Sequence, residues 1–196
     1  MSKYKEWSYN FWQGQFGCHS GYMISGRNEN NDANEFYIIR EKVLKHVKNG
    51  ESLLDIGCAS GGTYLHIKEY SKKKIKYKGT DFARNFVKAC KERNPETEWE
   101  MYDAREIHEK DNSWDNVLLY GVMDYLTQPN EPLDWKKALD EAVRVAKKRV
   151  IIVIWARIPT DKLSIKEHLK DKVKVRGHKI TGQLLIHEHY MLIGEK

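Results

Sequence analysis

An acid at the end of an apolar run, followed closely by glycines, is the first chemistry legible in this chain: Leu53-Leu54-Asp55-Ile56-Gly57-Cys58-Ala59-Ser60-Gly61-Gly62-Thr63. The run reads as a strand entering a glycine-rich turn that leads into a helix. Open sheets hold nucleotides this way, beyond the carboxyl ends of their strands. Gly57 and Gly61 permit the tight turn and let backbone approach a ligand closely. Asp55 would repel a pyrophosphate and suits a ligand carrying an ammonium and a sulfonium. A second acid, Asp81, ends the next run in Tyr77-Lys78-Gly79-Thr80-Asp81-Phe82. A carboxylate there can accept both ribose hydroxyls of a nucleoside, with Phe82 placed to pack on the base. Asp103-Ala104 follows a third run, where a carboxylate can accept the exocyclic amine of adenine. The fourth run ends in Leu118-Leu119-Tyr120-Gly121, and its loop carries Asp124 and Tyr125.

The elements that must position these residues follow from hydrophobic patterning. Short apolar runs at 52–56, 75–80, 97–101, 114–120 and 150–155 predict strands. Amphipathic stretches at 63–70, 83–93 and 133–147 predict the helices between them. Strand–helix alternation implies parallel strands joined by helical crossovers. Upstream, 35–48 has a helical period in Phe36, Ile39, Val43, Leu44 and Val47, with Gly50 as its stop, and the Asn-rich 27–34 reads as a loop. Before that lie many aromatics: Tyr4, Trp7, Tyr9, Phe11, Trp12, Phe16 and Tyr22. Downstream, a short helix at 164–170 precedes strand-like segments near 173–180 and within 183–194. Too little chain separates those two for a helical crossover, which predicts an antiparallel end to the sheet. The fold class is therefore α/β: a Rossmann-like doubly wound sheet, mostly parallel with an antiparallel C-terminal edge, and helices on both faces.

Taken in order, each at the end of a successive strand, these acids and glycines resemble the class I S-adenosylmethionine-dependent methyltransferases. The resemblance covers about residues 52–155 and weakens beyond. The family's first motif is a hydrophobic strand, an acid and G-x-G-x-G; here Asp55, Gly57, Ala59 and Gly61 stand in it, with Ala59 replacing one glycine. The resemblance implies S-adenosylmethionine as cofactor. It implies that Gly57, Cys58, Ala59 and Gly61 border the methionine part, that Asp81 holds the ribose and Asp103 the adenine, and that Tyr120 and Gly121 lie along the cofactor. It also implies one methyltransferase domain over 1–196, in which 1–50 forms a cover over the active site and 51–196 the core.

The acceptor pocket is expected above the carboxyl ends of the fourth and fifth strands. Candidate substrate contacts are Tyr125, Trp155 and Arg157 from the core and Tyr22 and Arg27 from the cover. Asp124 and His19 are the candidate general bases, needed where the acceptor is a hydroxyl or a protonated amine. His187 and His189 share a strand face, but no third ligand is evident, so no metal site is expected. The three cysteines, Cys18, Cys58 and Cys90, are widely spaced and read as reduced thiols.

Bulk properties limit the remaining readings. The chain has 196 residues, 40% hydrophobic and 32% charged, enough to bury a core. No apolar run approaches a membrane span and no leader is evident, which predicts a cytoplasmic protein. Net charge is +6, which keeps an RNA methyltransferase in view as the alternative. The basic runs Lys72–Lys74 with Lys76 and Lys78, Lys147–Arg149, and Lys45 with Lys48 are nevertheless expected on the amino edge of the sheet, opposite the cofactor. A nicotinamide-dependent dehydrogenase fits less well. Its Tyr-x-x-x-Lys spacing, Tyr70 and Lys74, falls at the wrong end of a helix. A non-catalytic nucleoside-binding or scaffold protein is the alternative of another class. The expected reaction is methyl transfer to an oxygen or nitrogen of a small molecule, such as a sugar or natural-product intermediate, by a chain whose oligomeric state the sequence leaves open.

Overall fold

Strands that are apolar on both faces need cover on both faces, and the chain provides it. The computed structural model describes residues 32–127, 134–155, 159–180 and 189–196. In chain order the elements are α1 (Asp32–Leu44), β1 (Ser52–Ile56), α2 (Gly62–Tyr70), β2 (Lys76–Asp81), α3 (Arg84–Arg93), β3 (Glu98–Met101), β4 (Trp114–Tyr120), α4 (Met123–Leu126), α5 (Trp135–Val145), β5 (Ala146–Trp155), α6 (Pro159–Leu169), β6 (Lys174–Ile180) and β7 (His189–Glu195). Among the described residues the sheet has seven strands in the order β3-β2-β1-β4-β5-β7-β6. Neighbours are parallel from β3 to β5, β7 runs antiparallel to β5, and β6 antiparallel to β7. Strand order reverses between β1 and β4, the switch point at which ligands sit in open sheets.

Alternation along the strands sorts the core into two layers. Leu53, Leu118, Ile151 and Val153 pack with Ile39 and Val43 of α1, Ile67 of α2, and Val87 and Cys90 of α3. Leu54, Ile56, Val117, Leu119, Ile152 and Ile154 pack on the other face with Ala138, Leu139, Ala142 and Val145 of α5 and Ile165 and Leu169 of α6. α5 starts where Asp134 caps it, accepting the Lys137 N–H at 3.2 Å. Among the described residues no helix is long and apolar enough to cross a membrane.

Some boundaries differ from the sequence reading. Residues 32–34, expected in a loop, begin α1, and Asp32 suits a helix N-terminus. α1 joins the helical layer of the core through Ile39 and Val43. The C-terminal helix starts at Pro159 rather than 164; a proline in the first helical position is favourable because its missing N–H is not needed there. β5 begins at Ala146, so Lys147, Lys148 and Arg149 lie in a strand and not at a helix end. They are tolerated because β5 enters from the amino edge, where Lys147 is exposed and the other two meet acids: Lys148 meets Glu51 at 3.1 Å and Asp115 at 2.8 Å, and Arg149 meets Glu51 at 3.0 Å.

Candidate functional site

The turn after β1 is held by backbone and side-chain hydrogen bonds, many of them to β2. The Gly57 and Cys58 N–H groups both donate to the Thr80 carbonyl, at 2.8 and 2.9 Å, and the Gly61 N–H donates to the Cys58 carbonyl at 2.9 Å. Gly57, Ala59 and Gly61 have φ of +75°, +46° and +80°. Alternate residues thus lie in the left-handed region, where a side chain costs ~1 kcal/mol or more. Ala59 carries that cost, and its N–H donates to Asp81 Oδ2 at 2.9 Å. Gly57 and Gly61 also lack room. A Cβ on Gly57 would lie 2.4 Å from Val122 Cγ2, and one on Gly61 would lie 2.8 Å from the Trp99 ring. The Trp99 indole lies beneath the loop, its Nε1–H donating to the Asn94 carbonyl at 2.9 Å, its ring centroid 5.6 Å from both Tyr64 and Tyr77.

Three of the expected acids end or follow β1, β2 and β3 on the carboxyl edge, each in a different environment. Asp55 is buried behind the turn. It accepts the Tyr77 hydroxyl at 2.7 Å, takes a second hydrogen bond from Thr63, and feels the charge of Arg40. Burial outweighs these partners and raises its carboxyl to about 6. Its side chain is therefore engaged by its own chain. Asp81 is also buried. Its Oδ1 accepts the Ala83 N–H at 2.8 Å while Oδ2 holds Ala59, so it fastens the turn to the start of α3. Burial, with the charge of Asp55, raises it to about 6 against those hydrogen bonds. The Tyr102 N–H donates to the Asp81 carbonyl at 3.2 Å, which brings the following Asp103 alongside. Asp103 is partly exposed, and Arg105 forks onto it.

The other side of the turn comes from β4. Half-buried Tyr120 packs against the α1–α3 layer, and among the described residues nothing lies within 4 Å of where a Cβ would sit on Gly121. Val122 packs against the opposite layer and touches the turn at Gly57. Asp124 and Tyr125 are half-buried on α4, with Asp124 Oδ2 shielded from solvent. Phe82 is half-buried beside Asp81, and Ala104 packs on the α5 side. Trp155 ends β5 at the same edge, opposite His189 of β7. His19, Tyr22, Arg27, Arg157, His187 and Cys18 lie outside the described residues.

Some features of the site had no sequence signal. Arg40 on α1 is buried, and one of its guanidinium nitrogens lies 2.1 Å from where a Cβ on Gly62 would sit. Cys58 and Cys90 are free thiols, but their wide spacing hid the fact that both reach the Ala59 carbonyl, at 3.8 and 3.4 Å.

Comparisons with known proteins bear on the family and the fold. Residues 54–154 match the family described as a methyltransferase domain. Ajmaline N-methyltransferase from Rauvolfia serpentina is 28% identical over 130 residues, covering 63% of this chain and 42% of that protein, so the chain matches less than half of this relative's length. Magnesium protoporphyrin IX methyltransferase from Synechocystis, solved with bound S-adenosylmethionine, superposes with a TM-score of 0.72 at 13% identity, over 100% of this chain and 99% of that one. The cyclase SpnF superposes with a TM-score of 0.68 at 13% identity, over 87% of this chain and 84% of that one. At such identities the superpositions establish the fold alone, and the cyclase shows that this fold hosts other chemistry as well.

Proposed function

The chain belongs to the class I S-adenosylmethionine-dependent methyltransferases, and on that premise we propose that it transfers a methyl group to an oxygen or nitrogen of a small-molecule acceptor. The observation that carries the reading is the turn of residues 57–61, strained into the left-handed region and pinned by Asp81 beside a second buried carboxylate, Asp55. Two acids whose proton affinity is raised by burial, and at Asp81 also by the charge of Asp55, are relieved by a cation and aggravated by a pyrophosphate. S-adenosylmethionine fits this charge pattern, and when bound it supplies a methyl carbon activated by a sulfonium. The chain's own residues then bind, orient and exclude water.

In this reading Asp81 receives the ribose hydroxyls, Asp103 the adenine amine, and Gly57, Cys58, Ala59 and Gly61 border the methionine end, while Phe82, Ala104 and Tyr120 pack along the ligand. That none of the described residues crowds Gly121 supports that path. The acceptor lies over the ends of β4 and β5, against Tyr125 and Trp155, with Arg157, Tyr22 and Arg27 completing the pocket. Asp124, directly after β4, takes a proton from the acceptor, or His19 does so from the cover formed by residues 1–50 over the 51–196 core. The aromatic residues of that cover suit a water-poor pocket.

The basic charge supports a small acceptor over RNA because much of it has internal work. Lys73 Nζ donates to the Leu44 and Val47 carbonyls, at 2.5 and 2.7 Å, closing the C-terminus of α1. Lys148 and Arg149 are paired with Glu51 and Asp115, and Lys78 lies among Glu98, Glu100 and Glu109. The ajmaline N-methyltransferase among the relatives adds support for nitrogen as acceptor atom. A transfer assay with methyl-labelled cofactor, run in parallel on small hydroxyl and amine acceptors and on structured RNA, tests this. Label is expected in a small molecule; label in RNA with every small acceptor unmodified contradicts it.

A further inference from the structure

Asp103 stands two residues beyond the end of β3, on a loop, with 43% of its side chain exposed. A carboxylate so placed would ordinarily rotate about its χ angles and point to solvent. Here it is held from within the loop. The Arg105 N–H donates to Asp103 Oδ1 at 2.9 Å, Arg105 Nε donates to the same oxygen at 2.8 Å, and the terminal guanidinium nitrogen donates to Oδ2. We propose that Arg105 is a positioning residue for the base subsite, its fork fixing the plane of the Asp103 carboxylate so that the acid reads the exocyclic amine of adenine. The inference rests on the reading above that Asp103 faces the base.

The surroundings support positioning rather than a chance surface pair. Arg105 is only 23% exposed and also lies in the field of Asp134, the cap of α5. The loop itself is fastened to α5. The Ile107 N–H donates to Glu141 Oε2 at 2.9 Å, and Arg144 donates to the Ile107 and Glu109 carbonyls, each at 2.8 Å. Asp103 also pairs with Glu106 in an isolated bridge that curls the loop back on itself. A planar fork on both oxygens fixes orientation, whereas a single ammonium would supply charge without fixing a plane. Because the carboxylate remains 43% exposed with the fork in place, a base can still reach it.

The test is discrimination between two ligands that differ at one group: S-adenosylhomocysteine and its inosine counterpart, in which the amine donor is replaced by a carbonyl acceptor. Wild-type protein is expected to prefer the adenine ligand by roughly 10–100-fold, the scale of a hydrogen bond to a charged group. Asp103→Ala should abolish the preference. Arg105→Gln and Arg105→Lys should each reduce it to about threefold or less, with melting temperatures close to wild type. Retained preference in either Arg105 variant, alongside its loss in Asp103→Ala, overturns the positioning role and leaves the base reading intact. Retained preference in Asp103→Ala overturns the base reading and the inference with it. No binding of S-adenosylhomocysteine to wild type overturns the cofactor reading.

Discussion

The two ends of β1 are each marked by an acid, and they are opposites. Glu51, before the strand, accepts the Asn116 amide and the Lys48 N–H, each at 2.9 Å, and pairs with Lys148 and Arg149. Burial pushes its carboxyl up, but those hydrogen bonds and the Arg149 charge win and hold it at about 2. Asp55, at the other end, is more deeply buried; hydrogen bonds from Tyr77 and Thr63 and the charge of Arg40 fail to offset that burial, and it is left at about 6 beside an equally raised Asp81. The amino edge is thus a finished charge network that needs nothing further. The carboxyl edge holds acids whose ionisation is opposed, a cost that a cationic ligand would repay. On the proposed reading, one sheet keeps structural electrostatics at one end and ligand-directed electrostatics at the other.

That contrast can be broken from either end. Glu51→Ala strips the buried partner from Arg149 and Asn116 and should cost about 3 kcal/mol of stability, read by denaturant unfolding, while leaving S-adenosylhomocysteine affinity within about twofold. Loss of affinity on that scale without loss of stability would dissolve the distinction between the edges. Gly57→Ala acts at the opposite edge, where the new methyl meets Val122 and the left-handed backbone is strained. It should cost about 2 kcal/mol of stability and weaken ligand binding. Adding Val122→Ala should recover the steric part of the loss and not the backbone part.

A pH series sharpens the same comparison with a smaller effect. Asp55 and Asp81 are raised from the usual carboxylate range to about 6. Between those values the folded chain holds protons that the unfolded chain has released, so this edge loses stability as pH rises through the window. A cation bound beside them favours the ionised forms. Binding therefore releases protons, and S-adenosylmethionine affinity should rise on the order of tenfold from about pH 5 to 7 and then level off, since one unit of pKa is tenfold in affinity. Glu51 behaves oppositely. Its folded value is depressed, so its contribution is present above the ordinary carboxylate range and is lost as pH falls toward about 2. A flat affinity profile would mean that the buried acids are not coupled to the ligand.

Apolar runs made the strands legible, since strands covered on both faces cannot tolerate interruption: the ranges expected for β1 and β4 coincide with Ser52–Ile56 and Trp114–Tyr120. The sequence shows β5 only from Val150, four residues short, because Lys148 and Arg149 look like solvent-facing charges until Glu51 and Asp115 are brought beside them. The acids at the strand ends were legible from their order along the chain. Their supports were not. Arg40 reaches the turn only because α1 packs on α2 and β1, and Cys90 meets Cys58 only because α3 lies beside the turn. Arg105 is a near neighbour of Asp103, yet its role depends on the loop curling through the Asp103–Glu106 bridge. Local pattern identifies what a strand end offers; the partners that set its charge come from contacts distant in sequence.

The most direct test of a ligand-directed carboxyl edge is a calorimetric titration of S-adenosylhomocysteine into wild-type protein and Asp81→Ala, with NAD as the second ligand. Micromolar binding, on the order of 8 kcal/mol, weakened about 100-fold or more in Asp81→Ala and absent with NAD, is the predicted result. Unchanged binding in Asp81→Ala, or a preference for NAD, would contradict it.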